Sequence, residues 1–186
     1  LVIPQTVTNN GNTYTVTAIG DNAFNDNDNS IGTIETDDEY LTSVQIPNTV
    51  TYIGEKAFYY CTKLESISGL DGVTVIDEYA FKYCTNLNSI TFGNNLTQIE
   101  REAFSYCYDL TSITIPSSVT DIGAQAFYYT NNLTLVTCPA TTAPIIGSSC
   151  FTTYWPYTNG RITLTVPFGS DYSYWESAST SLKKIN

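Results

Sequence analysis

The chain has 186 residues and carries 18 acidic against seven basic side chains, which gives a formal net charge of −11. This balance argues against nucleic acid and anionic membranes as partners, because both bind through basic patches. Histidine is missing, which removes the commonest general base and the commonest metal ligand. No apolar run is long enough to span a membrane, so we expect no membrane insertion by this chain.

The first predicted element is a hairpin over residues 7–16, with its turn at Asn9-Asn10-Gly11-Asn12. An Asn-Gly step between two short apolar and polar alternations favours a tight hairpin turn. We predict that residues 1–18 form an N-terminal hairpin cap on the units that follow.

Those units are repeats of 23 residues. The phrase Ile-Gly-Glu-Lys-Ala-Phe begins at Ile53 and returns in altered form at Ile76, Ile99 and Ile122. A unit this short cannot bury its own apolar face, so the copies must stack around one shared core. Residues 19–145 hold five such repeats, and the period falls in the range of about 20–29 residues that is typical of leucine-rich repeats. The sequence therefore predicts a solenoid.

Within one repeat, the apolar pattern predicts two short strands and a turn of helix. The alternation from Leu110 to Pro116 indicates a half-buried strand, and the run 119–122 indicates a second one. In the stretch 54–61, helical spacing would place Ala57, Phe58 and Cys61 on one side and Glu55, Lys56 and Tyr59 on the other. We predict that each coil is a strand, a turn, a second strand and one helical turn.

Two units depart from the period. An acidic insertion at 26–40 separates the first Phe from its following Leu. Residues 146–186 form a divergent last repeat and an aromatic tail that we predict to be a C-terminal cap, because terminal repeats must cover an open core. The insertion matches four positions of a calcium-loop template but has Ile31 in place of the glycine, so a solvated loop is the alternative to a metal site. The calcium candidates are Asp26, Asp28, Ser30 and Asp37.

The pattern I-G-x-x-A-F-x-x-C-x-x-L-x-S-I-x-I-P-x-x-V-T resembles the BspA-type leucine-rich repeat of bacterial surface proteins. The segment from Ile99 to Thr120 departs from it only at Glu100. The resemblance covers essentially residues 1–186 and implies one leucine-rich-repeat domain, a right-handed α/β superhelix of mostly short parallel strands. It also implies an exported protein at the cell surface or outside the cell, with adhesion to host or neighbouring-cell proteins. The family usually has a small residue before the cysteine, whereas this chain has tyrosine.

Three cysteines, Cys61, Cys84 and Cys107, share one repeat position. Stacked coils would hold them in parallel, so we expect a ladder of buried free thiols. A disulfide between Cys138 and Cys150 is the alternative for the remaining pair.

Two surfaces are candidates for binding. The first is a column of tyrosines with the 23-residue period, which is either a platform for a protein or sugar rings or stacking between coils. Its residues are Tyr60, Tyr83, Tyr106 and Tyr129, thickened by Tyr59 and Tyr128. The second is the outward side of the first strands, which is either a binding surface or a set of hydroxyl ladders that help the sheet to pack. Its residues are Ser66, Ser68, Ser89, Thr91, Ser112 and Thr114.

No nucleophile elbow, phosphate-binding loop or CxxC pair is present, so we expect no catalysis and no cofactor. The predicted function is a non-catalytic, exported binding or adhesion domain, monomeric, that recognises a protein through the solenoid surface. The alternatives are a carbohydrate-binding module that uses the tyrosine column and a structural spacer in a larger surface protein.

Overall fold

Each repeat contributes two short strands, and the strands of successive repeats pair in parallel in a computed structural model. The structure describes residues 1–25, 41–153, 162–178 and 182–185. The acidic insertion and the calcium candidates therefore lie outside the described residues. The strands are β1 (Thr6–Asn9), β2 (Asn12–Thr15), β3 (Ala18–Ile19), β4 (Ser43–Gln45), β5 (Tyr52–Ile53), β6 (Ser66–Ser68), β7 (Val75–Ile76), β8 (Ser89–Ile90), β9 (Gln98–Ile99), β10 (Ser112–Thr114), β11 (Asp121–Ile122), β12 (Leu135–Thr137), β13 (Ile145–Ile146), β14 (Ile162–Thr165) and β15 (Leu182–Ile185).

Two faces of the solenoid are sheets. One is a six-stranded sheet in the order β13-β11-β9-β7-β5-β3, and the other carries the sheets β4-β6-β8 and β10-β12-β14-β15. The pairing of Ile53 with Ile76, and of Ile76 with Ile99, advances by one 23-residue repeat at each step. These inward isoleucines are buried. The predicted solenoid of parallel strands is therefore confirmed.

The third face is made of turns, and here the predicted turn of helix is wrong. Residues 54–61 and their equivalents form consecutive turns, which we call the turn arcs. Lys56 and Tyr60 have φ values of 55° and 64°, which no α-helix contains. Alternate N–H groups point to the next coil, as in the bond from Phe58 N–H to the Ala80 carbonyl at 2.7 Å. Among the described residues, the only α-helix is α1 (Ser173–Ala178), and a 3₁₀ turn spans Leu70–Gly72.

The core contains a ladder of stacked phenylalanine rings, one from each coil. Neighbouring rings are parallel to within 10°, and their centroids lie 5.0–5.3 Å apart. The ladder consists of Phe24, Phe58, Phe81, Phe104, Phe127 and Phe151, and the Trp175 ring covers its last member at 5.6 Å. Stability therefore depends on contacts between coils, as expected for repeats that cannot fold alone.

All five cysteines are free and buried. In the predicted ladder, each thiol donates to the phenylalanine carbonyl of the preceding coil, as Cys84 Sγ does to Phe58 at 3.1 Å. The Sγ atom of Cys138 accepts a hydrogen bond from the Tyr172 hydroxyl at 3.1 Å. The alternative disulfide between Cys138 and Cys150 is therefore contradicted, because both thiols are free.

Burial raises the pKa of the Cys84, Cys107 and Cys150 thiols. The unfolded chain loses these protons near the ordinary pKa of about 8.5, whereas the folded chain retains them to higher pH. The stabilisation is thus complete below about pH 8.5 and is lost as the pH rises above that value. We expect the urea midpoint to fall between about pH 8.5 and 10, and to fall less in Cys84→Ala. A midpoint that stays constant over this window would contradict buried thiols.

The two ends differ. At the amino-terminal end β1 and β2 form the predicted antiparallel hairpin, and every residue of both strands is exposed. At the other end Tyr172 and Trp175 are fully buried, and the Trp175 indole N–H donates to the Pro144 carbonyl at 2.8 Å. The division into a cap at 1–18, repeats at 19–145 and a cap at 146–186 stays a prediction.

No helix in the described part of the chain is long and apolar enough to cross a membrane.

Candidate binding surfaces

The turn arcs carry a continuous aromatic surface, which we call the tyrosine surface. Its centre is the column of Tyr60, Tyr83 and Tyr106, whose ring centroids lie 4.4 and 4.6 Å apart. The Tyr129 ring meets Tyr106 edge-on, at 5.2 Å and 80°. The whole surface consists of Tyr59, Tyr60, Tyr79, Tyr83, Tyr106, Tyr108, Tyr128 and Tyr129.

The backbone of the column is in the left-handed region. The four residues Tyr60, Tyr83, Tyr106 and Tyr129 have φ values of 56–64°. This conformation costs a side chain with a Cβ about 1–2 kcal/mol, and glycine avoids the cost. Each ring contact returns about 0.5–1.5 kcal/mol. Eight ring contacts in the described chain involve these four residues, and at middle values they are comparable with the strain, so ring packing holds tyrosines at positions where only glycine would be unstrained.

The tyrosine surface also encloses an ion pair that the sequence analysis missed. The Lys82 ammonium lies 5.2–5.6 Å from the ring centroids of Tyr79, Tyr83 and Tyr106 and pairs with the Glu102 carboxylate. The Lys82 and Glu102 side chains are only 15% and 10% exposed. Arg101 pairs with the same carboxylate at 3.1 Å. The pair fixes the rings around it, because each cation–π contact is attractive.

Four hydroxyls of the tyrosine surface, those of Tyr59, Tyr83, Tyr106 and Tyr128, have a raised pKa. Burial is the main cause that raises the pKa of Tyr59, Tyr83 and Tyr106. A hydrogen bond with Tyr129 raises the pKa of Tyr128 to about 12. The surface therefore presents neutral hydroxyls that can both donate and accept hydrogen bonds.

The strand face is the second surface. All six predicted residues are exposed on the outward side of β6, β8 and β10 or just after β8. Glu65 lies just before this row, and the row itself is uncharged. The structure brings four of the six, Ser89, Thr91, Ser112 and Thr114, to the two sides of one groove.

This groove lies where the strand face splits. Across the described strands, β8 and β10 are not joined by a ladder, although each pairs with its other neighbour. The Ile115 N–H donates to the Thr137 carbonyl at 2.8 Å, and the described backbone has no equivalent bond from Phe92 to Thr114. The groove measures about 720 Å³.

Phe92 gives a physical reason for the split. Its repeat position holds Ile46, Gly69, Ile115 or Cys138 in the other coils. The larger Phe92 ring is buried and packs edge-on against Phe104, with centroids 5.6 Å apart. We infer that its bulk separates the coils at this level. A single Phe at a position of smaller residues is a signal in the sequence that the repeat pattern alone does not reveal.

The fold and the repeat define a leucine-rich-repeat solenoid. Residues 29–155 match the family model described as the BspA type leucine rich repeat region, in six copies. The chain therefore belongs to the BspA-type leucine-rich-repeat family, whose repeats are usually non-catalytic. Among curated proteins, no significant match is found.

Three solved structures are similar to the chain. A leucine-rich repeat protein from Bacteroides ovatus is 32% identical, with a TM-score of 0.68 over 90% of this chain and 39% of that one. A leucine rich cell surface protein from Faecalibacterium prausnitzii is 30% identical, with a TM-score of 0.61 over 89% and 46%. The leucine rich repeat protein of T. pallidum, at 22% identity, a TM-score of 0.64 and 100% and 84% coverage, supports the fold alone. The chain thus spans less than half the length of the first two.

Proposed function

We propose that the chain is a non-catalytic, exported binding or adhesion domain that recognises a protein of a host or neighbouring cell through its tyrosine surface. The family supports a binding role, and the F. prausnitzii relative is described as a cell surface protein. The observation that carries the proposal is the continuous tyrosine surface, in which Tyr60, Tyr83 and Tyr106 stack at 4.4 and 4.6 Å beside the exposed Tyr108. A monomer at the cell surface or outside the cell, without a cofactor, fits this role.

The geometry of the rings favours a protein over a sugar as the ligand of this surface. A sugar stacks on the face of an aromatic ring, and the faces of Tyr60, Tyr83 and Tyr106 are turned toward one another. The stacked faces are therefore occupied by neighbouring rings, which leaves edges and hydroxyls as the groups that a ligand of this column would contact. Tyrosines of this kind are enriched in protein-binding surfaces because they offer amphipathic area at a small entropic cost. The carbohydrate alternative is therefore weaker for the column itself.

A pair of substitutions at Tyr83 tests the proposal. Both Tyr83→Gly and Tyr83→Ala remove the ring, but only glycine relieves the left-handed strain. We expect both variants to lose at least about tenfold in affinity for the ligand, which corresponds to about 1.4 kcal/mol. We expect Tyr83→Gly to lie about 1–2 kcal/mol below the parent in unfolding free energy, because the relieved strain offsets only part of its three ring contacts. We expect Tyr83→Ala to lie about 1 kcal/mol below Tyr83→Gly.

The measurement is surface plasmon resonance against a panel of purified extracellular-matrix proteins, with urea unfolding in parallel. Tyr14→Ala is the control, because Tyr14 is 52% exposed on the hairpin, away from the turn arcs. Binding that survives Tyr83→Gly would sink the proposal for this surface. If no protein of the panel binds, the alternative of a structural spacer in a larger surface protein is favoured. If Tyr83→Gly unfolds, the tyrosine column serves stacking between coils.

A further inference from the structure

We propose that the groove between β8 and β10 binds a neutral oligosaccharide. The groove is on the strand face and the tyrosine surface is on the turn arcs, so this inference adds a second ligand and does not rest on the first. The volume of the groove, about 720 Å³, falls in the usual range of small-ligand sites, about 300–1,000 Å³.

The lining of the groove is uncharged. It consists of hydroxyls, the Asn94 amide, proline rings and buried apolar side chains, and it contains no acidic or basic residue. A charged ligand would lose its hydration there without gaining a counter-charge. The net charge of −11 also repels anionic glycans. The chemistry therefore selects a polar ligand without charge.

Four of the hydroxyls in the groove are available to a ligand, whereas the Ser118 hydroxyl donates to the Leu96 carbonyl at 2.6 Å. Within the described chain, the side chains of Ser89, Thr91, Ser112 and Thr114 make no hydrogen bond to the protein. Where the ladder is intact, the Ser68 hydroxyl instead donates to the Val44 carbonyl at 3.5 Å. A serine or threonine hydroxyl both donates and accepts, as each sugar hydroxyl does. Hydroxyls from two neighbouring coils thus offer a two-sided set of partners for adjacent sugar hydroxyls.

The backbone adds further partners and disfavours a peptide. In the paired coils the Thr134 N–H donates to the Thr111 carbonyl at 2.9 Å, and the described backbone has no such bond from Thr111 to Asn88. An added peptide strand would need about 4.8 Å on each side. The nearest Cα atoms of β8 and β10 lie within 8 Å of each other, so a full strand cannot enter between them. The hydroxyl groups of a sugar are small enough to enter between the two strands.

Apolar surface completes the match. Pro139 is exposed at the groove, and Ile90, Phe92 and Pro116 also line it although they are mostly buried. Sugar rings present C–H groups between their hydroxyls, and these pack on such surfaces. Binding sites of this kind combine apolar walls with a few placed polar groups.

The test screens the full chain against an array of neutral glucose, mannose and galactose oligosaccharides, with sialylated and sulfated glycans and an uncharged extended peptide as comparisons. Hits are measured by isothermal titration calorimetry. We expect saturable binding of a neutral oligosaccharide with a Kd at or below about 1 mM. Ser112→Tyr, which fills the groove, should weaken it at least about tenfold. Ser66→Tyr is the control, since Ser66 has the same repeat position on the paired strand β6.

A second variant guards against misfolding. Phe92→Ile restores the smaller side chain of the neighbouring coils, so β8 and β10 should approach, the groove should close and binding should be lost. Hydrogen exchange should then show a more protected Thr111 amide. Tyr83→Gly should leave oligosaccharide binding unchanged, which separates this site from the tyrosine surface. Binding only of the peptide, no binding at all, or binding that persists in both groove variants would overturn the proposal.

Discussion

Replacing Phe81 with alanine is expected to lower the free energy of unfolding by about 3–5 kcal/mol. Phe81 is fully buried, and its ring is stacked between Phe58 and Phe104 at centroid distances of 5.0 and 5.1 Å. The substitution removes a large apolar side chain and leaves a cavity between two coils. Because coils are stabilised by their neighbours, two interfaces weaken together. Urea unfolding followed by circular dichroism measures the loss.

The same substitution at Phe168 provides a matched control. Phe168 is 93% exposed, so Phe168→Ala should change the unfolding free energy by no more than about 0.5 kcal/mol. Because both variants replace Phe with Ala, the difference between their losses of unfolding free energy reports the effect of burial alone. A loss below about 1.5 kcal/mol for Phe81→Ala would mean that the neighbouring rings close the cavity, against the rigid ladder described here.

The register of the strand pairs could be predicted from the sequence because it equals the 23-residue period of the repeat. Once Phe58 and Phe81 are aligned 23 residues apart, the strands of neighbouring coils must pair with the same offset, as Ile53 and Ile76 do. The turn arcs could not be predicted in the same way. Ala57, Phe58 and Cys61 face the core in an arc as they would in a helix, so their spacing does not distinguish the two. The feature that distinguishes the turn arc from a helix is the positive φ of Lys56 and Tyr60. Because neither residue is glycine, the sequence gives no sign of this conformation.

The candidate surfaces show the same limit. The sequence predicted the tyrosine column because its members repeat with the period, but not the mutual covering of the ring faces or the ion pair of Lys82 with Glu102. The groove has the opposite origin. We attribute it to Phe92, a departure from the repeat that the 23-residue period does not predict. Repeats therefore predict the scaffold, whereas the irregular residues decide where a ligand can enter.

Gly69→Ala is expected to lower the unfolding free energy by about 3 kcal/mol or more. Gly69 has φ of +81°, and a Cβ built on it would lie 1.9 Å from the Ile46 carbonyl oxygen. Two penalties therefore combine, since alanine is strained at this φ and its methyl group overlaps the backbone of the preceding coil. That backbone cannot yield easily, because the Ile46 N–H is held by the Ser68 carbonyl at 2.9 Å.

Two other glycines separate these penalties. Gly11 has nearly the same φ, +78°, and nothing within 4 Å of the added Cβ, so Gly11→Ala should cost only about 1 kcal/mol. Gly20 has open space and no positive φ, so Gly20→Ala should have almost no effect. Thermal and urea unfolding of the three variants should give this order. Equal losses for Gly69→Ala and Gly11→Ala would mean that the coils are spaced more loosely than the contact with Ile46 requires, because φ strain alone would then account for both.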